Sequence, residues 1–306
     1  MPAAAASKRN SSIALRSSAT AGECIGGSGQ KIPLMAATLP PMKLTGERPI
    51  EGSTPDSLLA LHEAGYREIA VRLGDGLVLD VGSGLGAATS MMAAADRFVV
   101  GIDYDPPTAV SAQHEYGAAD HMGFASMDGA KIALKDRSIQ YVCSSHVIEH
   151  FTQPETHVAE LARVVASDGT VFVLCPNAPA DFENPFHVYD FEPPQLESLL
   201  RLFFDDVQIL GLEGDAAVQE DFAKRRASGE KLLKLDVFNL RKRLPHKTYV
   251  WAYERVLPIV YKFLGSDTTG IGSGIDHTHL FITETVNRTT PVLFAIARQP
   301  RAKLAS

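Results

Sequence analysis

The chain has 306 residues, a formal net charge of −7, and ordinary hydrophobic (45%) and charged (21%) fractions. This composition is typical of one large α/β domain with an accessory segment, and its acidity disfavours a general nucleic-acid binder. Three cysteines predict no disulfide framework. No apolar run reaches the roughly 18 residues that a membrane span needs. We therefore expect a soluble, cytoplasmic protein with no nucleic-acid partner.

Residues 1–41 are rich in Ala and Ser, carry four basic residues and one acid, and show neither helical nor strand periodicity. Such a segment is expected to be disordered. Its composition resembles an organelle transit peptide, which would imply import into an organelle. An unstructured tail, or a natural start at Met42, is the simpler interpretation.

From residue 57 onward, apolar spacing predicts alternating helices and strands. Helices are expected over 58–73, from Ala87, after Pro106, over Thr156–Val165 and over Pro193–Phe203. Strands are expected at Leu77–Val81, Phe98–Asp103, Gly123–Ser126, Ile139–Ser144, Thr170–Cys175, Asp206–Leu212 and Pro291–Arg298. The alternation predicts an α/β fold with a doubly wound, Rossmann-like sheet, mostly parallel with an antiparallel last strand.

The two final strands are separated by a long insertion. The predicted organisation is a core over 42–212, a helical insertion over 213–290, and a final strand with a tail over 291–306. Between Asp221 and Gly265, eleven basic residues face four acidic ones, a net charge of +7 in an acidic chain. One interpretation is a basic cap that attracts an anionic acceptor or touches a membrane surface peripherally. The alternative is a solvated helical face packed on the sheet.

The most informative stretch is the strand Leu77–Val81, which runs into three glycines spaced two apart: Gly82, Gly84 and Gly86. A glycine turn between a buried strand and a helix lets a ligand approach the backbone closely. The spacing suits a nucleoside with an amino-acid tail, and also the dinucleotide fingerprint. Asp103, at the end of the second strand, is placed for ribose hydroxyls in either class, or else caps a turn.

Two further groups follow strands at the same edge of the predicted sheet. Tyr104 is placed to cover the nucleoside edge, unless it only packs. Met127, Asp128 and Gly129 follow the third strand; a methionine can pack on an adenine ring while the carboxylate accepts from its amino group. The alternative for this tripeptide is an ordinary turn.

Taken in order, the segments VLDVGSGLG, VVGID, SMDGAKIAL, SSHVIEHF and LARVVASDGTVFVLCPN resemble the class I S-adenosylmethionine-dependent methyltransferases of the type 11 group, over roughly residues 76–212. The resemblance implies a methyltransferase with S-adenosyl-L-methionine as cofactor. It implies that Asp80 and the three glycines line the methionine end, that Asp103 holds the ribose, and that Asp128 and Gly129 meet the adenine. Ser145 and His146 would border the methionine moiety.

The chemistry left to the protein is alignment of an acceptor and, for an oxygen acceptor, a general base. Histidine suits that role, and His150 and His187 follow the fourth and fifth strands, so either is a candidate catalytic base or a structural histidine. His146, Glu149 and His150 match a zinc-protease pattern, but they follow a parallel strand of a cofactor fold, so no metal ion is predicted.

The predicted function is methyl transfer to an oxygen atom of a small-molecule or glycan-type acceptor, which would be anionic if the basic insertion serves to attract it. Two alternatives remain open from the sequence. One is an NAD(P)-dependent oxidoreductase. The other is a non-catalytic cofactor-binding or scaffold protein.

Overall fold

A computed structural model describes residues 54–119, 121–181, 187–233 and 272–301. The predictions for residues 1–41, and for the part of the basic insertion between 234 and 271, lie outside the described residues.

Helices and strands alternate along the described chain as the apolar spacing predicts. The helices are α1 (Asp56–Ala70), α2 (Pro106–Tyr116), α3 (Pro154–Val164), α4 (Pro193–Arg201) and α5 (Ala216–Leu233). The strands are β1 (Gly76–Val81), β2 (Arg97–Asp103), β3 (Met122–Ser126), β4 (Ile139–Ser145), β5 (Val165–Pro176), β6 (Phe204–Gly214), β7 (Leu280–Thr283) and β8 (Val292–Pro300). Within these ranges, no helix is both long and apolar enough to cross a membrane.

The eight strands form one sheet in the order β3-β2-β1-β4-β5-β8-β6-β7. β1 to β5 pair in parallel, while β8 is antiparallel to both β5 and β6. The predicted mostly parallel sheet with an antiparallel last strand is therefore confirmed. One strand was not predicted: β7 pairs with β6 at the edge, inside the segment that the sequence assigns to the insertion.

Both faces of the sheet are covered, as a doubly wound fold requires. On one face, α3 and α4 bury Val158, Leu161, Leu196 and Leu200 against β1, β4 and β5. On the other face, α1 and α5 bury Leu61, Ile69, Val218 and Phe222 against the opposite side chains of the same strands. These two layers hold the carboxyl ends of the parallel strands at one edge, where loops meet.

The helix expected from Ala87 is the main local difference. Only one 3-10 turn, Thr89–Met92, forms there. The reason is the short distance to the next strand: Ala94 already bridges to Arg97, the first residue of β2. The chain therefore has no length in which to build a full helix after the glycine turn.

Candidate active site

A cavity of about 1020 Å³ opens at the carboxyl ends of the parallel strands, the usual ligand position in open α/β sheets. It collects most of the site residues predicted from the sequence. Those that line it are Gly82, Gly84, Gly86, Asp103, Tyr104, Met127, Asp128, Gly129, Ser145, His146 and His150. Asp80 and His187 are not among the lining residues. Two residues that the motifs did not single out, His62 and Tyr66 of α1, line it as well.

The glycine turn has a backbone that side chains rarely allow. Gly82, Gly84 and Gly86 have φ of +82°, +53° and +87°. A Cβ on Gly82 would collide with Val147, and one on Gly86 would lie 2.7 Å from Phe124. At Gly84 nothing lies within 4 Å of that position. The turn is therefore packed at both ends and open in the middle, where a ligand can reach the backbone.

Asp80 lies beneath this turn and is fully buried. Its carboxylate accepts hydrogen bonds from Thr89 Oγ1 at 2.6 Å and from the Tyr66 hydroxyl at 3.2 Å. Burial is the main reason that its pKa rises to about 6, against the lowering effect of the hydrogen bonds from Thr89, Cys143 and Tyr66. Through these hydrogen bonds Asp80 connects Tyr66 of α1 with Thr89, which follows the glycine turn.

Asp103 stands across the cavity at the end of β2 and is 5% exposed. One of its oxygens accepts from the Gly84 amide at 3.2 Å and the other from the Asp105 amide at 2.9 Å. These bonds orient the carboxylate beside the open part of the turn. A carboxylate so held can accept from two vicinal ribose hydroxyls.

The next strand end forms the part of the cavity predicted for adenine. Tyr104 is 72% exposed at its mouth, and Met127 and Asp128 line it. Gly129 is packed so closely that a Cβ would lie 3.1 Å from Val81 and 3.2 Å from Phe151. Only glycine fits this position without displacing its neighbours.

A buried histidine that the sequence reasoning missed supports Gly129. His157 of α3 places Nδ1 2.9 Å from the Gly129 carbonyl and Nε2 2.9 Å from Ser144 Oγ. Burial lowers its pKa to about 4, so the ring is neutral at physiological pH. Since the carbonyl can only accept, Nδ1–H donates to it and Nε2 accepts from the Ser144 hydroxyl. The ring stacks on Phe151 at 4.4 Å.

Three polar atoms around the cavity are buried without a hydrogen-bond partner in the described chain: Ser83 Oγ, Ser145 Oγ and His146 Nε2. All three residues line the cavity next to the glycine turn. Buried polar groups are normally hydrogen-bonded, so unpaired ones that converge on a cavity indicate a polar ligand. The amino and carboxylate groups of a methionine tail fit this requirement.

Beyond the glycine turn, histidines collect from three parts of the chain. The rings of His62 and His146 lie 4.4 Å apart, and those of His150 and His187 lie 5.3 Å apart. His146 has φ +57°, and its amide donates to the Leu174 carbonyl, which fixes the direction of the side chain. Desolvation lowers the pKa of His62 well below 6.5, so its ring is neutral.

His187 reaches this cluster from the loop after β5. Its Nδ1 lies 2.7 Å from Asp181 Oδ2, and its side chain is 12% exposed. The amides of Val188 and Tyr189 both donate to the Glu149 carbonyl, at 2.9 and 3.1 Å. These two hydrogen bonds join the loop to the turn after β4, so His187 and His150 meet although they are 37 positions apart in the sequence. His150 faces the cavity and His187 stands behind it.

Of the site residues that were not predicted from the sequence, two have a recognisable sequence pattern and two do not. His62 and Tyr66 are polar aromatic side chains four positions apart on α1, a spacing that places both on one helix face. Asp181 and His157 have no such signal, because each gains its role from a contact with a distant loop.

The comparisons with known proteins agree with this geometry. Residues 79–173 match a family model described as a methyltransferase domain. A relative from Mycolicibacterium smegmatis, named a probable S-adenosylmethionine-dependent methyltransferase, is 30% identical over 195 residues, which are 61% of this chain and 75% of that protein. A Mycobacterium tuberculosis protein with the same description is 31% identical over 190 residues, or 59% of this chain and 68% of that one.

Among solved structures, an S-adenosylmethionine-dependent methyltransferase of Thermotoga maritima is similar with a TM-score of 0.48 and 13% identity, covering 78% of this chain and 91% of that chain. The assignment of this chain to a family rests on the sequence relatives. The chain belongs to the class I S-adenosylmethionine-dependent methyltransferases. It is an enzyme, and its cofactor is S-adenosylmethionine. The oxidoreductase and scaffold alternatives are thereby set aside.

Proposed function

We propose that the enzyme transfers the methyl group to a hydroxyl oxygen of a small-molecule or glycan-type acceptor. When bound, S-adenosylmethionine supplies a methyl group already activated on a positively charged sulfur. The remaining task of the protein is to hold the acceptor oxygen in line and to keep water out. In the present cavity, the glycine turn, Asp103 and the Asp128–Gly129 pair would hold the cofactor.

The observation that carries the proposal is the histidine-lined end of the cavity. His62 and His150 line it, in addition to the Ser145 and His146 side chains already assigned to the methionine tail. Imidazole nitrogens are hydrogen-bond partners that suit a hydroxyl group. The cavity, at about 1020 Å³, is at the upper end of the range for small-molecule sites, so it offers room for the cofactor together with a compact acceptor.

Two finer expectations remain proposals. The direct use of His150 or His187 as a general base is a prediction from the sequence. Attraction of an anionic acceptor or of a membrane surface by the basic insertion rests on residues that lie outside the described part of the chain. On α5, Lys224 is paired with Glu220 at 2.7 Å, and Arg226 donates to the Ala180 carbonyl at 2.8 Å.

The test is transfer of an isotopically labelled methyl group to two matched panels, one of hydroxyl compounds (monosaccharides, methyl glycosides, phenols) and one of the corresponding amines. We expect label on hydroxyl compounds only, with the methylated oxygen located by NMR. The Asp103→Ala variant is the control, because its weaker donor binding should lower transfer to every acceptor alike. Label found only on amines or carbon, from an enzyme that still binds S-adenosylhomocysteine, would overturn the proposal.

A further inference from the structure

Glu149 is the least explained charged group in the described structure. Its side chain is 2% exposed, and neither carboxylate oxygen has a hydrogen-bond partner within the described residues. The Nδ1 atom of His146 lies 3.5 Å from Oε1, beyond the usual 2.7–3.2 Å of an N–H···O bond. A buried carboxylate without donors is costly, so such a group requires a positive partner.

The side chains of His146, His150 and His187 lie around this carboxylate, so imidazole nitrogens face it inside the protein. Nitrogen and carboxylate donors around one point are the usual ligands of first-row divalent cations.

We infer that Glu149, His150 and His187 form a binding site for a first-row divalent cation of the zinc type at the edge of the cofactor cavity. One ligand atom from each of the three lies within 4.8 Å of the others. Bonds of about 2.0–2.2 Å would place tetrahedral ligand atoms roughly 3.4 Å apart, so binding requires only a small inward movement of side chains.

The contacts around His187 also suit metal ligation. Asp181 engages Nδ1 at 2.7 Å, and Nε2 is the nitrogen that would coordinate a cation. Metal-binding histidines commonly donate their other ring N–H to a carboxylate in this way. The donor set differs from the zinc-protease pattern noted in the sequence, since His187 from the next loop replaces His146, whose ring contacts His62 instead.

Two histidines and one carboxylate make a three-ligand site, which leaves a coordination position open. His150 lines the cavity, so a cation held by it would lie at the edge of the cavity. The inference rests on the proposed function for its chemical role. A divalent cation here would lower the pKa of the acceptor hydroxyl. The proton leaves to solvent, the oxygen forms a bond to the methyl carbon, and the carbon–sulfur bond breaks with its electron pair remaining on sulfur.

The experiment uses untagged full-length protein, stripped with EDTA and then dialysed separately against Zn²⁺, Co²⁺ or Mg²⁺. We expect about one tightly bound Zn²⁺ or Co²⁺ per chain, visible d–d absorption for Co²⁺, and no retention of Mg²⁺, which prefers oxygen ligands. Glu149→Gln and His187→Gln should weaken Co²⁺ binding by more than about tenfold, and Asp181→Asn by about 10- to 100-fold.

The matched control is His279→Gln. His279 also pairs with a carboxylate, Asp215, at 2.8 Å, but at an exposed site away from the cavity. This variant should bind Co²⁺ as the wild type does. Far-UV circular dichroism shows that each variant is folded before its metal content is compared. Absence of stoichiometric Zn²⁺ or Co²⁺ in the wild type, or binding that survives Glu149→Gln and His187→Gln, would overturn the inference.

The same samples separate this inference from the proposed function. Undiminished transfer to hydroxyl compounds by metal-free enzyme would refute the cation's role and leave O-methylation intact, with the histidines acting as the base that the sequence predicts. Cation binding in an enzyme that labels only amines would support the site and refute the proposed function.

Discussion

The buried carboxylate of Asp80 provides the sharpest test of the physical argument. The structure places it under the glycine turn with a pKa of about 6, against 3.8 for a free aspartate. In the unfolded chain Asp80 loses its proton near pH 4, whereas in the folded chain it keeps the proton until about pH 6. The folded state binds more protons between these values, so this group costs stability as the pH rises from 4 to 6.

The magnitude follows from the shift of about two pKa units. At 1.36 kcal/mol per unit, full ionisation of Asp80 costs the folded state roughly 3 kcal/mol. This is a large part of the 5–15 kcal/mol that stabilises a typical domain. Asp80→Asn retains the shape and removes the charge. We therefore compare the free energy of unfolding of the variant with that of the wild type. The difference in favour of the variant should be roughly 3 kcal/mol larger at pH 7 than at pH 4.

The assay is urea unfolding followed by far-UV circular dichroism at pH 4, 5, 6 and 7, without added cofactor. Other titrating groups cancel in the difference between variant and wild type. Asp75→Asn is the control, because Asp75 lies exposed just before β1. The difference in free energy of unfolding between this variant and the wild type should not change with pH. A flat difference for Asp80→Asn, or one that falls with pH, would refute the burial argument.

Three further predictions concern the same cavity. Gly82→Ala, at φ +82° and against a neighbouring side chain, should lower the free energy of unfolding by about 1–3 kcal/mol in thermal melts. Gly272→Ala, at φ +78° in open space, should cost less, and equal losses would contradict the packing argument. Asp103→Ala should weaken S-adenosylhomocysteine binding by about 10- to 100-fold in calorimetry, the loss of a charge-assisted hydrogen bond. The Asp75→Ala control should bind with unchanged affinity. Unchanged affinity in Asp103→Ala would show that the cofactor assignment is wrong. His157 has a folded pKa of about 4 against 6.5 unfolded, so the wild type should lose roughly 3 kcal/mol of stability as the pH falls from 6.5 to 4. His157→Gln should lack that loss, and an identical acid dependence in both proteins would count against the neutral ring.

Local pattern predicted much of the fold. The strands end at the residues where side chains meet the cavity, and the three glycines indeed adopt positive φ. These features depend on periods of two or 3.6 residues and on the absence of a Cβ, which the sequence displays directly. The short turn after Gly86 was harder to predict, since its length depends on where β2 begins.

The neighbours of Asp80 illustrate what local pattern misses. Its strand position is evident from the sequence, but its burial depends on Tyr66 from α1 and Thr89 from beyond the turn, which close over it. The resemblance to methyltransferases implies that Asp80 lines the cofactor site, whereas in this structure Asp80 is buried beside Tyr66 and Thr89 and is not among the residues that line the cavity. Its place as a cofactor residue stays a prediction.

The sequence by itself determined the parallel α/β core and the glycine turn, because these depend on residues close together in the chain. The spacing of the glycines left two cofactor classes open, and S-adenosylmethionine was what the resemblance to methyltransferases implied. Only the tertiary structure decided that β8 lies between β5 and β6, that β7 forms the edge, and which histidines meet. His62 of α1 meets His146, and His187 of the loop after β5 meets His150 in the turn after β4. These contacts arise from helix packing and from the amides of Val188 and Tyr189, which donate to the Glu149 carbonyl. Contacts between distant segments depend on how the layers pack, which no local period encodes.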